Sequence, residues 1–405
     1  MTRSKWGALA AFLGALALAL TAFVGAGAAR TKHAAAGPPI VIGAAVDLTK
    51  GMAPFDAPAL AAAQIEIKKI NAAGGVLGRP LQLKFLNDQL DPQKTKQDAR
   101  SLLSGGADIL WVTCDVDYAT PAIQEGLNAK KLTVAPCIGT DEMSPLRFGS
   151  KGKLAFSFGN AAQDEGAAVA EYTIKKGWKS AVVVTDNLLR YFQDVCKAFT
   201  VRYEQLGGKV ISQESFKQGD NTINNVVSRV NNEKPSVIAF CTSFGGDQPA
   251  FVSGLRSLGN NTPIINGWAS DGAYWWTKNP KVTNFYFLTY AAAVPGAKDP
   301  DPKVRALEAA MKKAGHPAQT GGFVTGAAAI DAIADAIRIN KGSLDGAKLA
   351  ATLEKFKKVS TVSGKISFSP TLHSVFGRAY RVVVVNNNQA KVLGMITAKS
   401  PANIH

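Results

Sequence analysis

Side chains that catalyse reactions or hold metals are few and scattered in this 405-residue chain. The histidines stand at His33, His316, His373 and His405, and none has a metal-site spacing to a cysteine or an aspartate. No Gly-Lys-Ser or Gly-Lys-Thr phosphate loop occurs, and Ser150 lies in FGSKG, whose glycines lack nucleophile-elbow spacing. A cysteine nucleophile needs a base, and no histidine lies near a cysteine in the sequence. The sequence therefore predicts no catalytic residue, no metal site and no cofactor.

Acidic and aromatic side chains, by contrast, collect in segments that follow apolar runs. These segments are DLTKGMAPF, VTCDVDYATP, APCIGTDEMS, TDNLLRYFQD, CTSFGGDQ and NGWASDGAYWW. Loops after parallel strands gather at one edge of a sheet, where α/β proteins bind small molecules, and aromatic walls suit a planar or apolar ligand. The loops predict a small-molecule cleft, although each side chain has a structural alternative; Asp271, for example, could cap the helix that follows it.

The elements that must position these loops alternate between strand and helix. Residues 60–80 read as a helix, with Ile67 and Ile70 on its apolar face, that stops at Gly74-Gly75. The strand IVIGAAVDL precedes this helix and LQLKFLND follows it, which makes a right-handed βαβ crossover. Similar alternation restarts at Trp178. The pattern predicts an α/β protein with two lobes.

A family resemblance rests on IVIGAAVDLTKG, INAAGGVLGRPLQL and DPQKTKQDARSLLSGGADIL. These segments resemble type I periplasmic binding proteins, and more narrowly the branched-chain amino acid and amide group that serves ABC importers. The resemblance runs from about Pro38 to about Gly394. It implies two Rossmann-like lobes with parallel central sheets, joined by a three-strand hinge in a Venus-flytrap arrangement. The implied limits are residues 38–158 with 291–363 for the N-terminal lobe and residues 159–290 with 364–399 for the C-terminal lobe.

The resemblance also implies how a ligand is held. The family's serine that meets a ligand carboxylate corresponds here to Val116 and Asp117, and an aspartate would repel an anion. The family's glutamate for the ligand ammonium corresponds to Ala269, so either Asp117 or Asp271 replaces it or the ligand is no α-amino acid. Tyr191 matches a tyrosine that closes over the ligand. The residues expected to contact the ligand are Phe55, Asp117, Tyr118, Gly139, Thr140, Tyr191, Phe244, Trp268, Asp271 and Phe323.

The cysteines divide between the implied lobes. Cys114 and Cys137 fall in one lobe, and Cys196 and Cys241 fall in the other. Four cysteines allow three pairings. The pairing Cys114–Cys137 with Cys196–Cys241 is favoured because each bond would join neighbouring strand–helix units within a lobe. Four buried free thiols are the alternative.

The ends of the chain and its charge bear on where the protein acts. Arg3 and Lys5 precede an apolar run that ends in Ala26-Gly27-Ala28, which predicts a signal peptide of residues 1–28 and export to the periplasm or the cell exterior. An uncleaved membrane anchor is the alternative. The polar tail, residues 400–405, is expected to fray. The net charge of +16 is spread over single and paired lysines and arginines, so a solvated surface is expected and nucleic acid is not.

The favoured function is a non-catalytic exported binding protein. It would capture a small organic ligand (amino acid-like, amide or carboxylate) and deliver its closed form to ABC permease subunits, acting as a monomer. A sensory protein that hands the closed form to a receptor is a variant of this hypothesis. An exported α/β hydrolase that uses the same cleft is the alternative from another class, and weak binding of polyanions to the basic surface is the third.

Overall fold

The computed structural model describes residues 37–243 and 245–405, so the predicted signal peptide and Phe244 lie outside the described residues. Strands and helices alternate through most of this part of the chain, as the apolar runs predict. The strands are β1 Ile40–Val46, β2 Leu81–Asn87, β3 Ile109–Val112, β4 Thr133–Ala135, β5 Ala155–Asn160, β6 Ser180–Asp186, β7 Lys209–Phe216, β8 Val237–Cys241, β9 Ile264–Asn266, β10 Phe285–Thr289, β11 Val359–Thr361, β12 Gly364–Ile366, β13 Ser374–Val375, β14 Tyr380–Asn386 and β15 Gln389–Ile396. The helices are α1 Ala53–Ala72, α2 Pro92–Ser104, α3 Val116–Asn128, α4 Pro145–Phe148, α5 Ala162–Lys175, α6 Arg190–Gln205, α7 Ile223–Glu233, α8 Asp247–Ser257, α9 Pro302–Lys313, α10 Phe323–Ile339 and α11 Gly346–Leu353.

The first lobe is built on a parallel sheet in the order β13-β5-β4-β3-β1-β2. Its β1–α1–β2 unit is the predicted crossover, with Ile40 paired to Leu81 and Val46 to Asn87. Helix α10 packs on α1, and a Cβ at Gly326 would come within 2.0 Å of the Ala59 carbonyl oxygen. Only glycine allows that approach, so residues far apart in the sequence share one core.

The second lobe is built on a sheet in the order β15-β14-β10-β9-β8-β6-β7. Strands β6 to β10 are parallel, but β14 runs antiparallel to β10 and β15 antiparallel to β14. Asn387 and Asn388 both have positive φ, which is the geometry of a tight hairpin turn. The prediction of an α/β lobe with a parallel central sheet is confirmed, and the final two strands add an antiparallel hairpin at one edge of that sheet.

Three segments of the described chain connect the sheets, after β5, after β10 and after β13. Strand β13 belongs to the first sheet: the Ser157 N–H donates to the His373 carbonyl and the Ala161 N–H to the Val375 carbonyl, at 2.9 and 2.8 Å. The first lobe thus extends past the predicted limit of residue 363. Segments of this kind form the hinge of a two-lobed protein.

The C-terminal tail is packed against the protein, contrary to the expectation of fraying. Ala402 and Ile404 are buried, and the Ala402 N–H donates to the Gln163 carbonyl at 2.9 Å. His405 Nε2 lies 2.9 Å from a carboxylate oxygen of Asp141 in the first lobe. The two apolar side chains give the tail a face to bury along α5. None of the helices in the described ranges has the length and apolarity needed to cross a bilayer.

Candidate ligand-binding cleft between the lobes

Buried aspartates shape the loops at the carboxyl ends of β1 and β3. Asp56 accepts hydrogen bonds from the backbone N–H groups of Asp47 (3.0 Å) and Cys114 (2.8 Å), and from the Thr113 hydroxyl. Burial raises the pKa of Asp56 well above its ordinary value. These bonds tie two neighbouring loops to the first turn of α1, which fixes the rim of the first lobe.

Disulfides join the cysteines within each lobe. Cys114 is bonded to Cys137 and Cys196 to Cys241, with Cα–Cα distances of 4.8 and 5.8 Å. This is the pairing that the sequence favours. Asp56 lies beside the Cys114 and Cys137 sulfur atoms. Because both sulfurs are used in a disulfide, this group in the described part of the chain lacks the free thiolates that a metal would require.

The N-terminus of α3 is capped by an aspartate of its own chain. Asp115 Oδ1 accepts hydrogen bonds from the backbone N–H groups of Asp117 (2.9 Å) and Tyr118 (3.2 Å). Burial, and then the nearby charge of Asp117, raise the pKa of Asp115 to about 7. The resemblance placed a ligand carboxylate at this helix start. The structure fills the position with a carboxyl group of the protein.

The facing wall, in the second lobe, is built around a buried glutamate. Glu165 Oε1 accepts hydrogen bonds from the Tyr191 hydroxyl (2.6 Å) and the Trp268 backbone N–H (2.8 Å). Its other oxygen has no hydrogen-bond partner among the described residues. Burial raises the pKa of Glu165 to about 7. The Trp268 ring stacks on Tyr290 and meets Phe55 of the first lobe edge-on, each at 4.9 Å between centroids.

A small void lies between these walls, and both lobes contribute to it; its free volume is about 20 Å³, which is room for about one water molecule. The first lobe supplies Met52, Phe55, Cys114, Asp115 and Gly139, and the second supplies Leu189, Tyr191, Phe192, Ser243, Trp268 and Ala269. The lining combines apolar walls with a few polar groups, as ligand pockets do, but a solute larger than water fits only when the lobes stand further apart.

The predicted ligand contacts divide into two groups. Phe55, Gly139, Tyr191 and Trp268 line the void. Asp117, Tyr118, Thr140, Asp271 and Phe323 are not among its lining residues.

Asp117 and Thr140 contact the other lobe instead. Asp117 accepts a hydrogen bond from the Arg190 backbone N–H at 2.8 Å and forms an ion pair with the Arg147 guanidinium at 2.7 Å. The Thr140 hydroxyl donates to Asp194 at 2.7 Å. Both side chains therefore belong to a contact between lobes, because the loops that carry them face α6 across the cleft mouth.

The other three residues, Asp271, Phe323 and Tyr118, contact the protein itself rather than the void. Asp271 accepts hydrogen bonds from the Thr289 hydroxyl (2.6 Å) and the Gly321 N–H, and burial raises its pKa to about 7. It thereby holds the second crossing segment. Phe323 is buried in the core at the start of α10, and Tyr118 is half-buried on α3.

Sequence reasoning missed Asp115 and Glu165. Asp115 precedes a helix, and the N-cap preference for aspartate was a signal that could have identified it. Glu165 lies in the first turn of α5, where acids are common on solvated surfaces, so no local pattern marks it as buried. Met52, Leu189, Phe192 and Ser243 were also missed, since they lie within loops or helix starts without distinctive spacing.

A polar clasp bridges the lobes at the edge of the void, formed by Asp117, Thr140, Glu142, Arg147, Arg190 and Asp194. Arg190 Nε lies 3.2 Å from Glu142 and 2.8 Å from Asp194. Arg147 Nη1 lies 3.0 Å from Glu142 and 2.7 Å from Asp117. Burial raises the pKa of Asp194 to about 6, and the Thr140 hydroxyl opposes that rise. Three of these contacts cross between the lobes: Asp117 with the Arg190 backbone N–H, Thr140 with Asp194, and Glu142 with the Arg190 guanidinium.

Two α/β lobes, three connecting segments and a void with aromatic walls between the lobes are the features of a two-lobed solute-binding protein. A sequence profile described as Periplasmic binding protein matches residues 39–390. The chain belongs to this family of exported binding proteins, whose members bind small-molecule ligands and work with ABC permeases.

Individual relatives are distant. The Leu/Ile/Val-binding protein BraC3 of Rhizobium johnstonii is 23% identical over 337 residues, covering 82% of this chain and 88% of that protein. The Leucine-, isoleucine-, valine-, threonine-, and alanine-binding protein of Pseudomonas aeruginosa is 25% identical over 325 residues, with 76% and 80% covered.

Solved structures share the fold. The branched-chain amino acid transporter substrate binding protein LivJ of Streptococcus pneumoniae, in complex with isoleucine, has a TM-score of 0.75 at 18% identity, covering 89% of this chain and 100% of that one. An ABC transporter solute binding protein of R. palustris, in complex with benzoate, has a TM-score of 0.72 at 17% identity, with 91% and 98% covered.

Proposed function

We propose that this protein captures a small organic solute in the void between its lobes and delivers the closed form to the permease of an ABC importer. The observation that carries the proposal is the void itself. Phe55 and Gly139 enter it from the first lobe, and Tyr191 and Trp268 enter it from the second. A molecule held there contacts both lobes at once, so it stabilises the closed state over the open one.

Hinge closure is the mechanism that this geometry supports. The crossing segments after β5, β10 and β13 allow the lobes to separate, which would break the Phe55–Trp268 contact and the contacts of the polar clasp that cross between the lobes. A ligand adds its own contacts to those already present in the closed state. A permease that reads surfaces of both lobes together would then distinguish the loaded protein from the empty one.

The side chains that line the void limit the chemical class of the ligand. The relatives named above bind branched-chain amino acids, and a structural neighbour holds benzoate. In this chain Ala269 lines the void where the resemblance places a glutamate for the ligand ammonium, and Asp115 occupies the helix start where it places the ligand carboxylate. The proposed solute therefore has an apolar or aromatic body but is not gripped as a standard α-amino acid.

Three further attributes complete the proposal. The protein acts after export, in the periplasm or outside the cell, once the signal peptide has been removed. It acts as a monomer, because one chain supplies both walls of the void. It is not an enzyme: in the described residues the acids nearest the void, Asp115 and Glu165, are bound to backbone amides and a tyrosine, and the lining holds no histidine.

The test is thermal unfolding of the mature chain against a library of amino acids, amides, amines and aromatic acids. A solute present at 100 times its dissociation constant raises the unfolding free energy by about 2.7 kcal/mol. A saturable rise for one chemical class supports the proposal. No rise with any solute, together with turnover of an amide or ester, would favour the exported hydrolase instead. A rise without any transport defect in a strain that lacks the protein would favour the sensory role.

A further inference from the structure

We propose that the captured solute is a small organic cation, with an amine or alkylammonium group on an apolar or aromatic body. This inference rests on the proposed solute-binding function and names the class of ligand for the same void. It is carried by the charge of the lining, by the occupied helix start and by the aromatic rings around the void.

The ionisable groups in and directly behind the walls are acidic. Asp115 is the one acidic side chain among the residues that line the void in the described part of the chain, and no lysine, arginine or histidine stands beside it there. Glu165 lies directly behind two lining residues, bonded to the Tyr191 hydroxyl and the Trp268 N–H, with one carboxyl oxygen unpartnered in the described residues. A buried carboxyl group without a full set of partners calls for a donor or a cation.

The positive groups near the cleft lie outside the lining of the void. Arg147 and Arg190 pair with the acids of the polar clasp. Arg378 is fully buried with its guanidinium 5.0 Å from the centroid of the Tyr290 ring, and Tyr290 in turn stacks on Trp268. Two aromatic rings therefore separate Arg378 from the void. An anionic solute would enter without a counter-charge.

The backbone amides that could bind a ligand carboxylate at the start of α3 are already hydrogen-bonded. The first free amides of a helix are a ready site for anions. In α3 the amides of Asp117 and Tyr118 both donate to Asp115 Oδ1. The negative charge that a ligand would bring is already in place, and a second carboxylate would be repelled. The other oxygen of Asp115 takes no part in the cap, so it can accept a hydrogen bond from a ligand.

Aromatic rings supply the rest of a cation site. Phe55, Tyr191, Phe192 and Trp268 all line the void. Ring faces attract ammonium groups within about 6 Å of the centroid, most strongly when water is excluded, and tryptophan is the best of them. Rings combined with a buried carboxyl are the usual arrangement for an alkylated ammonium group, and the same rings accommodate an apolar body.

The protonation of the two acids gives the site a characteristic pH dependence. Burial raises the pKa of Asp115 and of Glu165, each to about 7. The titratable and charged groups that face Asp115 are Asp117, Tyr118 and Arg147. Those that face Glu165 are Asp164 and the tyrosines Tyr191, Tyr290 and Tyr380. A cation favours the ionised acids, so its affinity rises as the pH rises through 7. An anion would show the opposite trend.

The experiment is isothermal titration calorimetry of the mature chain with ligands that share a body and differ in charge. The aromatic set is 2-phenylethylamine, phenylalanine, 3-phenylpropanamide and 3-phenylpropionate; the aliphatic set is isoamylamine, leucine and 4-methylpentanoate; choline and benzoate complete the panel. The key variant is Asp115→Asn, because asparagine still caps a helix but carries no charge. The matched control is Asp91→Asn, which changes the exposed N-cap of α2.

The expected result is that at least one amine or choline binds while its carboxylate partner does not, with affinity that rises between pH 6 and pH 8. Asp115→Asn should weaken that cation by about tenfold or more, whereas Asp91→Asn should leave it unchanged. Binding of leucine, benzoate or 3-phenylpropionate without any cation would overturn the inference but leave the solute-binding function standing. Heat-stable protein that binds no member of the panel would count against both.

Discussion

Thr140 offers the sharpest test of the closed state, because its hydroxyl joins the lobes without touching the void. It is fully buried and donates at 2.7 Å to Asp194, which is 1% exposed and receives its other contact from Arg190 at 2.8 Å. Thr140→Val keeps the shape of the side chain and removes the donor. In the closed state Asp194 then lacks a partner that water supplies when the lobes separate.

The magnitude follows from the chemistry of this bond. A hydrogen bond to a charged group contributes about 1.5–3 kcal/mol. Removing it from the closed state alone should weaken any closing ligand by roughly 10- to 150-fold, since about 1.4 kcal/mol is a factor of ten. Because the pKa of Asp194 is raised to about 6, the deficit should shrink below pH 6, where the carboxyl is neutral and needs no donor.

The assay is calorimetric affinity at pH 8 and pH 5 for the tightest solute of the panel, with small-angle scattering of the ligand-free protein. Thr140→Ser keeps a hydroxyl and should restore affinity. Thr173→Val removes a buried hydroxyl that donates at 2.8 Å within α5, so it should lower stability without changing affinity. Wild-type affinity in Thr140→Val at both pH values would refute the assignment of this bond to the closed state.

The remaining predictions concern packing, disulfides and pH. Gly139→Ala places a Cβ about 2.4 Å from the Tyr191 ring, so it should destabilise the closed state by about 1–3 kcal/mol. Calorimetry should show weaker solute binding, while the melting temperature of the ligand-free protein stays nearly unchanged. An equal loss of solute affinity and of ligand-free stability would contradict this. The double variant Cys196→Ser with Cys241→Ser should lower the unfolding free energy by about 2–4 kcal/mol in urea titrations without changing the affinity for the solute. The double variant Cys114→Ser with Cys137→Ser should also alter that affinity, because Cys114 lines the void. Equal effects of the two double variants on affinity would be evidence against that distinction. Asp115, Glu165 and Asp271 have pKa values raised to about 7, so their protonation stabilises the folded state below pH 7. Calorimetry should therefore give a higher melting temperature for the ligand-free protein at pH 5.5 than at pH 8. The reverse order would show that these acids are not buried as the structure has them.

The sequence predicts the fold well where local pattern and fold agree. The βαβ unit at the start follows from the apolar face that includes Ile67 and from the glycine stop after the helix, both of which act within a few residues. The antiparallel pairing of β14 with β10 depends on which sheet edge is free, and local sequence pattern carries no information about that edge. Strand β13 has two residues and no periodicity, so only its hydrogen bonds to the β5 region assign it to the first lobe.

The site was predicted less completely, for reasons of geometry. The loops were identified, and Tyr191 and Trp268 line the void. Asp117 and Thr140 lie in those same loops but contact the facing lobe, and sequence gives no measure of which side chain turns inward. Glu165 resembles any acid in a first helical turn; its burial arises from Tyr191 and Gly267, which come from distant parts of the chain.

Small-angle scattering with and without solute tests directly whether the lobes close on the ligand. The mature chain would be measured alone and with a saturating amount of each member of the panel, with Gly139→Ala as the variant that opposes closure. If the lobes close on the solute, the radius of gyration should fall with the solute that binds calorimetrically, and the change should be smaller in the variant. A solute that binds in the void and leaves the scattering curve of the wild type unchanged would contradict capture by closure of the lobes.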